Sequence, residues 1–167
     1  MHSGLYVVMG VCGSGKSVIG ALFARALGME FVEGDAYYSP ENVKRMSAGI
    51  ALTDEDRQTW LIAIATRLDE ARRAGAGLVV SCSALKRRYR DVLRAGRADV
   101  QLVYLEGTRA LLEQRLAGRR GHFMPSSLLD SQLATLEPPS PDEQAWVCEI
   151  GQPPDVIVAA LAARSLT

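Results

Sequence analysis

Residues 10–17 read Gly10-Val11-Cys12-Gly13-Ser14-Gly15-Lys16-Ser17, "GVCGSGKS". The pattern is G-x-x-x-x-G-K-[ST], a loop whose glycines let backbone N–H groups close around phosphate oxygens. Both flanks agree with that reading. Before the loop, Leu5-Tyr6-Val7-Val8-Met9 is an unbroken apolar run, the mark of a strand covered on both faces. After it, Val18, Ile19, Leu22, Phe23, Ala26 and Leu27 recur at helical spacing, and Gly28 supplies a stop. All eight loop residues are therefore counted as nucleotide-binding. Lys16 is expected to reach the β- and γ-phosphates, Ser17 to offer its hydroxyl to Mg²⁺, and the helix N-terminus to add its positive dipole end. Cys12 reads as a small side chain in the loop. The motif leaves open where the terminal phosphate goes: to water, a protein, a nucleic acid or a small metabolite.

Outward from the loop, strand and helix alternate. Phe31-Val32 reads as a second strand ahead of Glu33-Gly34-Asp35. Thr53 is an expected N-cap, with Asp54, Glu55 and Asp56 in the first turn of a long helix reaching about Arg73. A third strand runs from Gly77 to Cys82, a helix from Ala84 to Leu93, a fourth strand from Val100 to Leu105 and a helix from Arg109 to Leu116. A weaker fifth strand, Ala145 to Ile150, precedes a closing helix from Pro154 to Leu166. Such alternation predicts an α/β three-layer sandwich with a mostly parallel sheet. Two polar, Pro- and Gly-interrupted segments stand outside it, Tyr37 to Leu52 and Ala117 to Pro141. Insertions at the carboxyl ends of parallel strands are where substrates bind. The expectation is one domain over residues 1–167, with an acceptor-binding segment at about 36–60 and a mobile lid at about 117–141.

The bulk numbers narrow the function. The chain has 167 residues, 48% hydrophobic and 23% charged, which suits one folded domain. Lys+Arg and Asp+Glu are both 19, so the basic excess of a nucleic-acid binder is absent. Three widely spaced cysteines, Cys12, Cys82 and Cys148, support neither a disulfide framework nor a zinc site, and fit a reducing cytosolic setting. No apolar stretch is long enough to span a membrane.

Asp35 follows the second strand directly. Strand ends of a parallel sheet converge on one edge, so Asp35 is expected to face the phosphate loop, orient an acceptor hydroxyl and take its proton. Glu33 is placed to hold a Mg²⁺-bound water. In the expected lid, Arg119, Arg120 and His122 crowd together. A lid arginine such as Arg119 can neutralise the charge that spreads over a moving phosphoryl group, and His122 can bond a substrate oxygen. Of Lys86, Arg87, Arg88 and Arg90, Lys86 is nearest the strand end and is the candidate for a charged substrate; the others are expected to be solvated or paired with Asp91. Arg57 stands either to clamp a carboxylate or to pair with neighbouring acids.

In chain order the motifs are "GVCGSGKS", Gly34-Asp35, "LTDEDRQTWL" (52–61), "CSALKRRYRD" (82–91), "GHFMP" (121–125) and "TLEPP" (135–139). Together they resemble the gluconokinases, over nearly the whole chain. The resemblance implies a nucleoside-monophosphate-kinase-like fold with a five-stranded parallel sheet and a mobile lid. It implies phosphorylation of D-gluconate by ATP with Mg²⁺, in a cytosolic homodimer acting on a small sugar acid, with no nucleic acid or membrane as partner. It places Asp35 on the acceptor side, Lys86 in the Ser-Ala-Leu-Lys stretch, Arg119 and His122 in the lid, and Gln152-Pro153 at the adenine. The family often carries His-Pro three and four residues after the aspartate; here Tyr38 and Ser39 stand there, with Pro40 one later. The rival readings are a related kinase of shikimate or another sugar acid, and a regulatory ATPase without an acceptor.

Overall fold

A computed structural model describes residues 3–118 and 126–167. Five strands form one sheet: β1 (Leu5–Met9), β2 (Glu30–Glu33), β3 (Leu78–Ser81), β4 (Val100–Glu106) and β5 (Trp146–Glu149). Their order is β2-β3-β1-β4-β5, and every pairing is parallel. The helices are α1 (Lys16–Leu27), α2 (Pro40–Ser47), α3 (Asp54–Ala74), α4 (Arg87–Arg94), α5 (Arg109–Ala117), α6 (Ser126–Thr135) and α7 (Pro154–Ser165).

The central strand shows why the sheet is a middle layer. Every residue of β1 is buried, and successive side chains point to opposite faces. Tyr6 and Val8 join Ile19, Phe23, Leu112, Leu129 and Ile157 on one side. Leu5, Val7 and Met9 join Trp60, Leu61, Ile64 and Leu68 on the other. The pattern that marked β1 as covered on both faces is thus two half-cores meeting at one strand.

The expected helix ends hold where local chemistry sets them. Thr53 Oγ1 accepts from the Asp56 N–H, while the Asp56 carboxylate accepts from the Thr53 N–H, a capping box that starts α3. Gly28 ends α1 with a left-handed φ of 67°.

Three expectations needed correction. The helix expected from Ala84 begins only at Arg87, because buried Ala84 takes a left-handed φ of 45° and Lys86 is extended. Tyr37 to Leu52 is not irregular throughout. It carries α2, capped by Ser39 with Pro40 in the first turn, and its apolar Val43 and Met46 face solvent, so no core-facing periodicity announced it. Arg90 is neither solvated nor paired with Asp91. It is 1% exposed and salt-bridged to Glu143, itself 2% exposed.

Candidate active site

The register aligns Val8, Ser81 and Glu33 across β1, β3 and β2. The chain segments that follow, the phosphate loop, the Cys82–Lys86 loop and Gly34-Asp35, therefore emerge at one edge. Such an edge is where open parallel sheets bind ligands.

On the donor side, Gly13 and Gly15 have φ of 83° and 91°, a backbone that turns consecutive N–H groups inward. The Lys16 ammonium reaches across the loop and donates to the Val11 carbonyl at 3.1 Å. Ser17 Oγ donates to Glu33 Oε1 at 2.7 Å, and Ser81 Oγ donates to the same oxygen at 2.6 Å. Two hydroxyls thus join the loop, β2 and β3 through one carboxylate.

Beyond the end of β2, Asp35 lies in a single 3₁₀ turn, Gly34–Tyr37, and the residue is exposed. The Gly34 backbone runs so close to β3 that a Cβ there would overlap the Ser81 carbonyl oxygen. Trp60, 1% exposed, donates its indole N–H to the Gly34 carbonyl at 2.8 Å and holds the turn from α3. Burial of the carboxyl raises the Asp35 pKa, Lys16 opposes the rise and Glu33 adds to it. Asp35 therefore feels the charges of both Lys16 and Glu33.

Tyr38 stacks on Trp60, ring centroids 4.3 Å apart and planes 13° from parallel. Burial pushes its phenol up, with Arg57 opposing and Asp35, Cys82 and Tyr89 reinforcing. Arg57 lies 5.8 Å from the Tyr89 ring centroid and makes no ion pair among the described residues. Of the two readings for Arg57, pairing with local acids is thus not what the structure contains. Lys86 does have an acidic partner: its ammonium is 3.2 Å from Asp54, which also takes Arg88 and the Tyr89 hydroxyl.

The loop that presents Lys86 is clamped from behind. Arg90 donates to the Ala84 carbonyl at 2.9 Å and to Glu143 at 2.6 Å. Glu137 accepts from the Arg87 N–H at 3.0 Å, and its own N–H donates to the Leu85 carbonyl at 2.8 Å. "TLEPP" and "CSALK" are therefore two halves of one joint, and the last part of the 117–141 segment packs on the body.

Beside the loop a groove is lined by Gly13, Gly15, Val18, Ile19, Arg115 and Pro154. Arg115 donates to the Ile150 carbonyl, which holds it over Gly15. Gln152 and Pro153 are exposed just before Pro154, at the rim of this groove. Arg115 escaped the sequence reading; its spacing from the loop, on an amphipathic helix, resembles that of any surface arginine. Arg119 and His122 lie outside the described residues.

The family model described as an AAA domain matches residues 5–139. The gluconokinase of Gluconobacter oxydans (strain 621H) is 46% identical over 155 residues, covering 93% of this chain and 87% of that protein. A gluconokinase structure from Sinorhizobium meliloti 1021 superposes with a TM-score of 0.88 at 47% identity, covering 98% and 92% of the two chains. An unliganded sugar kinase from Janibacter sp. HTCC2649 gives 0.89 at 48% identity, covering 96% and 92%. With a five-stranded parallel sheet, a phosphate loop and these relatives over most of its length, the chain belongs to the gluconokinase family.

Proposed function

We propose that this protein transfers the terminal phosphoryl group of ATP to D-gluconate, giving ADP and 6-phospho-D-gluconate. The observation that carries the reading is the parallel register that brings the phosphate loop after β1 and the Gly34-Asp35 turn after β2 out at one sheet edge. The P–O bond to the ADP oxygen breaks, a P–O bond to the sugar-acid hydroxyl forms, and that hydroxyl's proton passes to Asp35. Gly10, Val11, Cys12, Gly13, Ser14 and Gly15 supply the loop backbone, and Lys16 neutralises charge on the phosphates. Arg115 and Pro154 flank the base and ribose, with Gln152 and Pro153 at the rim.

Mg²⁺, held at Ser17, would supply neutralisation of the phosphate charge. Ser17 fits as its protein ligand: with its proton on Glu33, the hydroxyl presents lone pairs outward. At the acceptor end, Arg57 and Lys86 receive the carboxylate, and Tyr38 on Trp60 forms an apolar wall for the carbon chain. Arg119 and His122 complete the site from the part of the expected lid that precedes α6, closing against water, whereas residues 126–141 pack on the body. A cytosolic homodimer belongs to the same reading; the three free cysteines fit a reducing compartment, and light scattering at twice the chain mass tests the dimer.

A coupled ADP-release assay with gluconate, shikimate, other sugar acids and no acid tests the proposal. Turnover should rise with gluconate above every other acid. Turnover no greater with gluconate than with buffer would sink it, and equal hydrolysis in all wells would favour the regulatory ATPase.

A further inference from the structure

Gln132 lies on α6, 120 residues from the phosphate loop, yet its side-chain carbonyl accepts the Cys12 N–H at 2.6 Å. An N–H can only donate, so the amide orientation is set: Oε1 faces the loop. Among the described residues the Gln132 amide nitrogen has no hydrogen-bond partner, although the side chain is half-buried. Cys12 is next to Val11, whose carbonyl takes the Lys16 ammonium. That lysine is the one read as serving the β- and γ-phosphates, and Gln132 touches the loop one residue from the carbonyl that holds it.

Gln132 is held there firmly. Leu129, one turn earlier on α6, is 1% exposed in the core that also holds Cys12 and Leu112. Asp130 pairs with Arg109 of α5. Leu116 of α5 in turn abuts Gly13, where an added Cβ would meet it at 3.0 Å. The two helices that flank residues 119–125 therefore converge on the loop, and Gln132 is their polar contact with it.

We infer that Gln132 is a positioning residue for the terminal phosphate: it holds Cys12 through its carbonyl and turns its amide N–H₂ to a γ-phosphoryl oxygen. ADP lacks that group, so Gln132 distinguishes the triphosphate from the diphosphate and ties α6 to the loaded state. This rests on the ATP-dependent kinase reading above. The test is calorimetry of a non-hydrolysable ATP analogue and of ADP with wild type, Gln132→Ala and Gln132→Met, together with kcat and both KM values. Expected is a loss of roughly five- to tenfold for the ATP analogue, the effect of about one hydrogen bond. ADP affinity and the KM for gluconate should stay within about twofold, while kcat falls. Equal losses for both nucleotides would mean mere loosening of the loop and would overturn the inference, as would unchanged affinity for both. Failure of wild type to bind the ATP analogue at all would instead overturn the kinase reading.

Discussion

The proposed donor and acceptor sides share one sheet edge but are built differently. The donor side is a backbone device: eight consecutive residues, three glycines at positive φ, and one lysine folded across them. The acceptor side is a side-chain device. Asp35 and Tyr38 come from a 3₁₀ turn and the residue after it, Arg57 from the first turn of α3 and Lys86 from the N-cap of α4. Trp60 holds the Asp35 turn, and the Arg90–Glu143 pair holds the Lys86 loop. A contiguous device stands or falls with a single residue, whereas a dispersed one loses its parts by degrees.

The steepest loss should come from the donor side. Lys16→Ala is expected to lower kcat about 10³-fold or more with the fold intact by circular dichroism, since charge stabilisation is most of what phosphoryl transfer asks of a protein. A variant within tenfold of wild type would break the asymmetry.

Next is Asp35→Asn, expected to cut kcat by about 10²- to 10⁴-fold, the usual range for a general base. The same variant should be more stable than wild type at neutral pH. The folded-state pKa of Asp35 lies above its unfolded value, so its stability contribution is present below the unfolded pKa and is lost as pH rises through the folded one. Above that pH the ionised carboxylate weighs against folding. Thermal melts should show the Asn variant ahead at pH 7 and the gap closing in acid. In wild type, kcat/KM should fall on an acid limb displaced upward from the ordinary aspartate range, and a limb at the ordinary position would contradict the upward shift of Asp35.

Glu143→Gln sharpens the comparison from behind the acceptor side. Removing one partner of a buried ion pair costs about 3–5 kcal/mol, measurable by urea unfolding, and the freed Ala84–Lys86 loop should raise the KM for gluconate more than that for ATP. Equal effects on both would show that the clamp serves the whole fold. The smallest effect is expected for Tyr38→Phe, which keeps the stack on Trp60: KM for gluconate should move less than about threefold, while Tyr38→Ala, losing the ring, should move it further.

The same contrast explains what the sequence disclosed. The sheet was legible because β1, β3 and β4 are largely buried on both faces and so read as apolar runs, broken in β4 only by Gln101 before the exposed Glu106 at its end. Lys16, Ser17 and Asp35 were legible because each sits at a set offset from a strand end. Glu143 and Gln132 were not. Glu143 follows two prolines and an aspartate in a segment that reads as loop, and only the partner 53 residues away makes it a core residue. Gln132 is one polar residue on a short helix, and its partner is a backbone N–H, which carries no sequence signal. Ala84 misled for a related reason: a helix-favouring residue occupies a left-handed position that the surrounding contacts impose.

The strand order β2-β3-β1 has one further consequence. Neighbouring strands lie about 4.8 Å apart, so the acceptor carboxylate after β2 and the phosphate loop after β1 are set roughly 10 Å from each other by an intervening strand. The sheet acts as a ruler, and the gap it measures leaves room for one phosphoryl group and one hydroxyl. The residue just past the end of the middle strand is Cys82, fully buried, and its thiol feels Asp35, Lys16 and Arg57 together. Burial pushes that thiol up to about 12, so the floor beneath the transfer path stays uncharged at any physiological pH. A neutral floor adds no charge of its own between the two ends.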